Sequence, residues 1–347
     1  MSMRTHVFVD EWDPGYGSPY RVESEEPPSG RLVEDGSDLV MHPAQASGSI
    51  AAEAESRGAD ITRLDIGSSG LPGDGGIRGL AFVDGVRRAE ATLFQVDEES
   101  GRSGRGVAGS HACGAVLVPS ERSGATFGPT RVERVVIWGS GLEGTLPAIG
   151  EWSWHSVAIA DESPDAPLRE LQERMRVAEA ELAEEMCAAG FLTIVDGPLH
   201  YVRSRDLPVV GYVKTHHRSL LPPEHHRRIP ELLHGERSSL FAIGTDRYST
   251  YLRLAPMESW SSPWTGIVRL EIPQSAGLEA CVRLADTAAS LLPRFAGVPH
   301  RDPRAPQNLQ PVGALESHLR RQLGSPELAR RAVRDAVARA ATVARPR

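Results

Sequence analysis

Cysteine is rare in this chain. Cys113, Cys187 and Cys281 are the only three in 347 residues, far apart and without a CxxC pairing. That spacing excludes a disulfide scaffold and a cysteine zinc site. Lysine is rarer still: of 38 lysines and arginines, Lys214 alone is lysine. A GxxxxGK[ST] phosphate loop needs lysine after glycine, and Lys214 follows Val213, so ATP-driven work falls to a partner. No apolar run approaches the ~20 residues of a membrane span. The opening stretch reaches acidic residues at once, with no apolar core of a secretory signal. A soluble, cytosolic protein with no membrane contact is the expectation. The net charge of −8 argues against a whole-surface grip on nucleic acid, leaving local basic faces open.

What is present suffices for a packed core. Hydrophobic residues make up 40%, enough for two or three domains or one large domain with insertions. Residues 1–75, rich in Gly, Ser, Pro and acids, read as an N-terminal extension with short strand-like pieces at Thr5–Val9 and Asp38–Met41. A long β segment over Gly79–Val96 follows, interrupted at Asp84-Gly85. Asp97–His111 reads as a loop, and Ala112–Val118 and Arg131–Trp138 as strands. Leu168, Leu171, Met175, Ala178 and Leu182 recur at helical spacing, and Gly190 stops that helix. Phe191–Val195 is a short apolar run of the kind found in buried strands. Further strands are expected at Leu207–Thr215, Ser239–Gly244, Ser249–Ala255 and Thr265–Pro273. Leu278–Leu292 reads as helix and Pro299–Pro311 as extended chain. Leu315–Ala341 reads as helix, broken near Gly324. Strands come before the first long helix and helices return at the end, which predicts an α/β fold with a mixed sheet.

Two motifs carry little chemistry. Gly139-x-Gly141-x-x-Gly144 matches the dinucleotide fingerprint, but Pro147 and Gly150 cut off the helix it requires, so it reads as a loop. His216-His217 and His225-His226 lack a Cys or carboxylate at ligand spacing, and a solvated, DNA-facing loop is expected rather than zinc. More informative are Val83-Asp84-Gly85 and Val195-Asp196-Gly197, each a carboxylate behind an apolar strand. One such Asp-Gly is ordinary turn chemistry. Two on neighbouring strands repel unless a cation lies between them, and oxygen ligands suit Mg²⁺ or Mn²⁺. Lys214, ending an apolar strand, is a compact cation of the kind aimed at phosphate, or a plain surface lysine.

These motifs together resemble a family. Leu80-Ala-Phe-Val-Asp-Gly-Val-Arg87 is similar to the first motif of the NurA nucleases. Thr193-Ile-Val-Asp-Gly-Pro-Leu199 with Val209-Val-Gly-Tyr-Val-Lys214 is similar to their central pattern, and Thr265–Pro273 to a later strand. The resemblance spans residues 76–325, with 1–75 outside it and 326–347 a basic C-terminal helix or tail. It implies a ribonuclease H-like mixed sheet flanked by helices. It also implies a metal-dependent deoxyribonuclease that works as a homodimer with a HerA-type hexameric ATPase in end processing or defence.

Carried over position by position, the catalytic and metal-binding set becomes Asp84, Glu179, Asp196 and His318, with Glu173, Glu181, Glu184 and Glu185 on the same helix as competitors of Glu179. Asp302 and Glu316 are alternatives to His318, because the approach to it departs from the family pattern. Mn²⁺ or Mg²⁺ is the implied cofactor. Lys214, Arg87 and Arg218 are the expected DNA-backbone contacts, and local basic stretches at residues 203–237 and 318–347 fit them. A catalytically silent adaptor of a translocase and a hydrolase of small phosphoesters stay open as alternatives.

Overall fold

A computed structural model describes residues 28–43, 77–96, 101–120, 124–203 and 207–343. The expected strand at Thr5–Val9 and most of the N-terminal extension lie outside these residues. The chain is mixed α/β and divides into two compact units, with one boundary between Val83 and Asp84.

The first unit holds residues 1–83, 116–126 and 183–313. Its strands run in the order β1 (Arg31–Leu32), β10 (Phe241–Ile243), β11 (Arg247–Arg253), β12 (Ile267–Pro273), β8 (Val209–Val213), β7 (Leu192–Asp196) and the start of β3 (Gly79–Val96). β3, β7 and β8 are parallel, while β12 joins β8 antiparallel. The parallel strands read as unbroken apolar runs because both of their faces are covered: Leu192, Ile194, Val195, Val209, Val210 and Tyr212 are all buried. Helix α2 (Leu278–Leu291) packs on β11 and β12 through Cys281, Leu284, Ala285 and Ala288.

Part of the N-terminal extension belongs to this unit. β1 pairs with β10, and β2 (Met41–His42) pairs with β9 (Arg237–Ser238). Leu32 and Leu39 enter the same apolar cluster as Leu221, Phe241 and Tyr251.

The second unit holds residues 84–115, 127–182 and 314–347. The rest of β3 is followed by β4 (Ser103–Pro119), β5 (Thr126–Trp138) and β6 (His155–Ala158), with β6 parallel to β5. Helix α1 (Ala166–Ala188) seats Leu171 against Val107, Val135 and Ile137. It ends where Gly190 takes φ 87° and the Phe191 N–H bonds back to Met186 O. Helices α3 (Gln310–Gln322) and α4 (Pro326–Val343) close the chain, separated at Gly324.

Three expectations are corrected. β3 runs unbroken through Asp84-Gly85, so Asp84 is a buried mid-strand residue rather than a strand end. Most of the expected loop at Asp97–His111 is strand, because β4 starts at Ser103. Pro299–Pro311 is a series of turns, with Asn308 N–H on Arg304 O, and α3 starts already at Gln310. The Gly139–Gly144 stretch is a loop as expected, closed by Trp138 Nε1–H on Gly144 O.

Candidate metal centre

In the first unit the site is built on the end of β7. Gly197, at φ 113°, turns the chain directly after Asp196, and its N–H donates to Tyr212 O at 2.8 Å. Two residues on, Leu199 N–H donates to Glu271 Oε2 at 3.1 Å. Burial favours the neutral acid at Glu271, but Arg269 (2.6 Å) and Arg247 (2.8 Å) outweigh it and hold the carboxyl below its ordinary range. The turn packs so closely on β8 that a Cβ at Gly211 would stand 2.9 Å from Gly197 O. Glycine in that central motif therefore answers to packing.

Lys214 is not a plain surface residue. Its Nζ lies 2.7 Å from Asp196 Oδ2 and 2.9 Å from Asn308 Oδ1. The Asn308 amide is oriented from behind, its Nδ2 donating to Asp302 Oδ2 at 2.5 Å. Asp302, a sequence alternative to His318, thus fixes which end of Asn308 faces the ammonium. Beneath this chain, Tyr212 Oη donates to Gln307 O at 2.5 Å, and burial raises the phenol well above its ordinary pKa. Arg218 is exposed and His216, two residues earlier, is buried.

In the second unit Asp84 is 4% exposed. Alternation along β3 turns its neighbour Gly85 to the opposite face, where a Cβ would meet Glu179 Oε1 at 2.5 Å and Met175 Cγ at 2.9 Å. Glu179 lies buried on the apolar stripe of α1, and Arg176 Nη1 sits 2.9 Å from its Oε2. Arg87 is exposed and donates to Gln172.

On α3, Val312, Leu315, Glu316 and Leu319 form the buried face. His318 is half-buried and stacks on Phe127, with ring centroids 4.1 Å apart and 16° between planes. Two residues of helix put it about 200° around from Glu316. Glu316 carries an ion pair to Arg320 at 3.0 Å.

Within the first unit, Glu34, Asp35 and His42 stand close enough to hold a metal ion. That group is committed elsewhere. Glu34 grips Arg237 with both oxygens at 2.7 Å, and Asp35 accepts from Ser239 Oγ at 2.5 Å and meets His42 at 2.8 Å. This clasp pins residues 31–42 to β9 and β10.

The histidine pairs also differ from expectation. His216 is buried beside Tyr251 and Trp264 and bonds Ile267 O through Nε2 at 3.0 Å. His225 and His226 are half-buried, and only His217 is exposed. His216 lies just beyond the apolar strand β8, close enough to be carried into the core with it.

No family model matches the sequence, and no curated protein matches it. Among solved structures, the crystal structure of the NurA nuclease from Sulfolobus solfataricus is similar, at 9% identity and a TM-score of 0.37, over 69% of this chain and 78% of that one. At that score and identity the likeness defines neither fold nor activity. No helix among the described residues is long and apolar enough to cross a membrane.

Proposed function

We propose that this protein is a divalent-metal-dependent DNA nuclease with a ribonuclease H-like sheet, acting on DNA ends or single strands. One observation carries the reading. β3 and β7 pair in parallel up to Val83 and Val195, and Asp84 and Asp196 are the next residue on each strand. Two carboxylates carried on neighbouring strands are the donor type a phosphate-processing Mg²⁺ or Mn²⁺ site needs. On α3 the helical phase buries Glu316 and turns His318 away, so this reading takes Glu316 as its helix carboxylate, while Glu179 backs the strand behind Gly85.

A bound ion supplies Lewis acidity at the phosphorus and lowers the pKa of an attacking water. The chain's own residues do the rest. Lys214, steered by Asn308 and Asp302, sets the orientation of the Asp196 carboxylate and offers the remaining face of its ammonium to a phosphate oxygen. Arg87 and Arg218, both exposed, hold the DNA backbone. The family resemblance adds a homodimer working with a HerA-type hexameric ATPase in the cytoplasm, in end processing or anti-phage defence.

A second reading, a silent adaptor of such a translocase, draws on the Lys214–Asp196 pair, since an ammonium can neutralise that carboxylate without an ion. One assay separates them: degradation of end-labelled linear DNA in Mn²⁺ by the wild type and by Asp196→Asn, with and without a HerA-type ATPase. Cleavage lost on Asp196→Asn and on chelation supports the nuclease. Folded protein that cleaves nothing in any arm, and binds Mn²⁺ equally with or without Asp196, supports the adaptor.

A further inference from the structure

The net charge is negative, yet α4 and the end of α3 carry an uneven distribution of arginines. In α4 the buried side is Ala329, Ala332, Val333 and Ala336. On the solvent side Arg330, Arg331 and Arg334 rise along one ridge and are exposed, as are Arg339 further on and Arg320 and Arg321 on α3. Arg330 and Arg334 are four residues apart, hence neighbours about 6 Å apart along the axis. A like-charge pair at that spacing destabilises a helix by about 0.2–0.5 kcal/mol.

Acidic compensation is sparse. Arg320 meets Glu316 at 3.0 Å and Arg331 meets Asp335 at 3.9 Å. Among the described residues no carboxylate lies within ion-pair distance of Arg321, Arg330, Arg334 or Arg339. Glu327, one turn before Arg330, feels its charge, but among the described residues no carboxylate pairs with Arg330 or Arg334 as Glu279 does with Arg283 on α2, 2.7 Å apart. An external polyanion relieves the repulsion that remains.

We infer that the exposed arginine ridge of α4, continued by Arg320 and Arg321, is a binding track for the phosphate backbone of a nucleic acid. The inference rests on the nuclease reading for the identity of its ligand and deepens it by assigning a surface. Guanidinium groups spaced along a helix pair with successive phosphates, without base readout. Binding along the track is independent of sequence and strongly dependent on salt.

The test is equilibrium binding of a fluorescent 30-base-pair duplex in EDTA, across a salt series. It compares the wild type with Arg330→Ser/Arg334→Ser, the charge-keeping Arg330→Lys/Arg334→Lys, and Arg283→Ser as an exposed control far along the sequence. Loss of two phosphate contacts predicts affinity at least about tenfold weaker near 0.1 M salt, and a log–log salt slope shallower by about 1.8. The lysine variant keeps most of the affinity, and Arg283→Ser binds as the wild type does.

Unchanged binding by the serine pair overturns the track, as does equal weakening by Arg283→Ser. Competition by poly-glutamate as effective as by DNA of equal charge also overturns it, in favour of an acidic protein partner. The nuclease reading fails separately. A chain that binds through the ridge but never cleaves in Mn²⁺ keeps the track and loses the nuclease. One that cleaves with unchanged ridge-variant binding loses only the track.

Discussion

His216 makes the stability of the first unit sensitive to mild acid. The ring is 4% exposed, packed beside Trp264 and Tyr251. Burial pushes its pKa from 6.5 down to about 4, with Arg269, His226 and His217 adding in the same direction and the bond to Ile267 O opposing. The unfolded chain takes up this proton near pH 6.5, while the folded chain refuses it until about pH 4. Stability conferred by the neutral ring is therefore complete above pH 7 and drains away as the pH falls through that window. Linkage across those two values gives a loss of about 2 kcal/mol at pH 5 and about 3 kcal/mol at pH 4.

His216→Gln keeps an N–H donor for Ile267 O and cannot titrate. Urea unfolding of both proteins at pH 8 and pH 5 isolates this residue from the other groups that titrate in the same range, His200 and His226 among them. The wild type is expected to lose about 2 kcal/mol more than the variant between the two pH values. Equal losses would refute the placement of His216 in the core and restore it to a solvated loop.

Other substitutions probe single contacts. Arg253 is 2% exposed, and its guanidinium donates to the carbonyl oxygens of Leu232, Thr265, Pro230 and Pro263, at 2.6 to 2.9 Å. Arg253→Met strands those four carbonyls and is expected to cost at least about 4 kcal/mol in urea unfolding; a cost under about 1 kcal/mol refutes the role. Gly211→Ala drives a Cβ to 2.9 Å from both Gly197 O and Leu199 Cγ, an overpacking cost of about 1–3 kcal/mol. It should also weaken Mn²⁺ binding by calorimetry, because the displaced turn carries Asp196. Glu316→Gln is expected to weaken Mn²⁺ binding at least about tenfold, whereas His318→Gln leaves it within about twofold; the reverse order would restore His318 as the ligand.

The contrast between what the residues foretold and what the fold does is sharpest in the second unit. Apolar periodicity located α1, β7, β8, β11, β12 and α2 because each buries a regular face, and burial is what leaves a period in a sequence. It failed on Ser103–His111, whose Gly, Ser and Arg content reads as loop. There the glycines serve large side chains on neighbouring elements. A Cβ at Gly106 would stand 2.4 Å from Trp138 Cε3, and one at Gly109 would stand 2.6 Å from Leu171 Cδ2. The hydrophobic content of that strand's environment is written in other segments, so no local window could display it.

Gly85 is the same case. It looks like the hinge of a turn and instead makes room for Met175 and Glu179. Among the candidate residues, Asp84, Asp196 and Lys214 stand out in the sequence because each follows an apolar run directly. The candidate on α3 is a matter of helical phase: counting from Val312 and Leu315 puts Glu316 on the buried face and turns His318 away. A family pattern that names a residue type on a helix therefore needs the phase of this chain's own apolar stripe before the role is assigned. Here that phase favours the carboxylate two residues earlier.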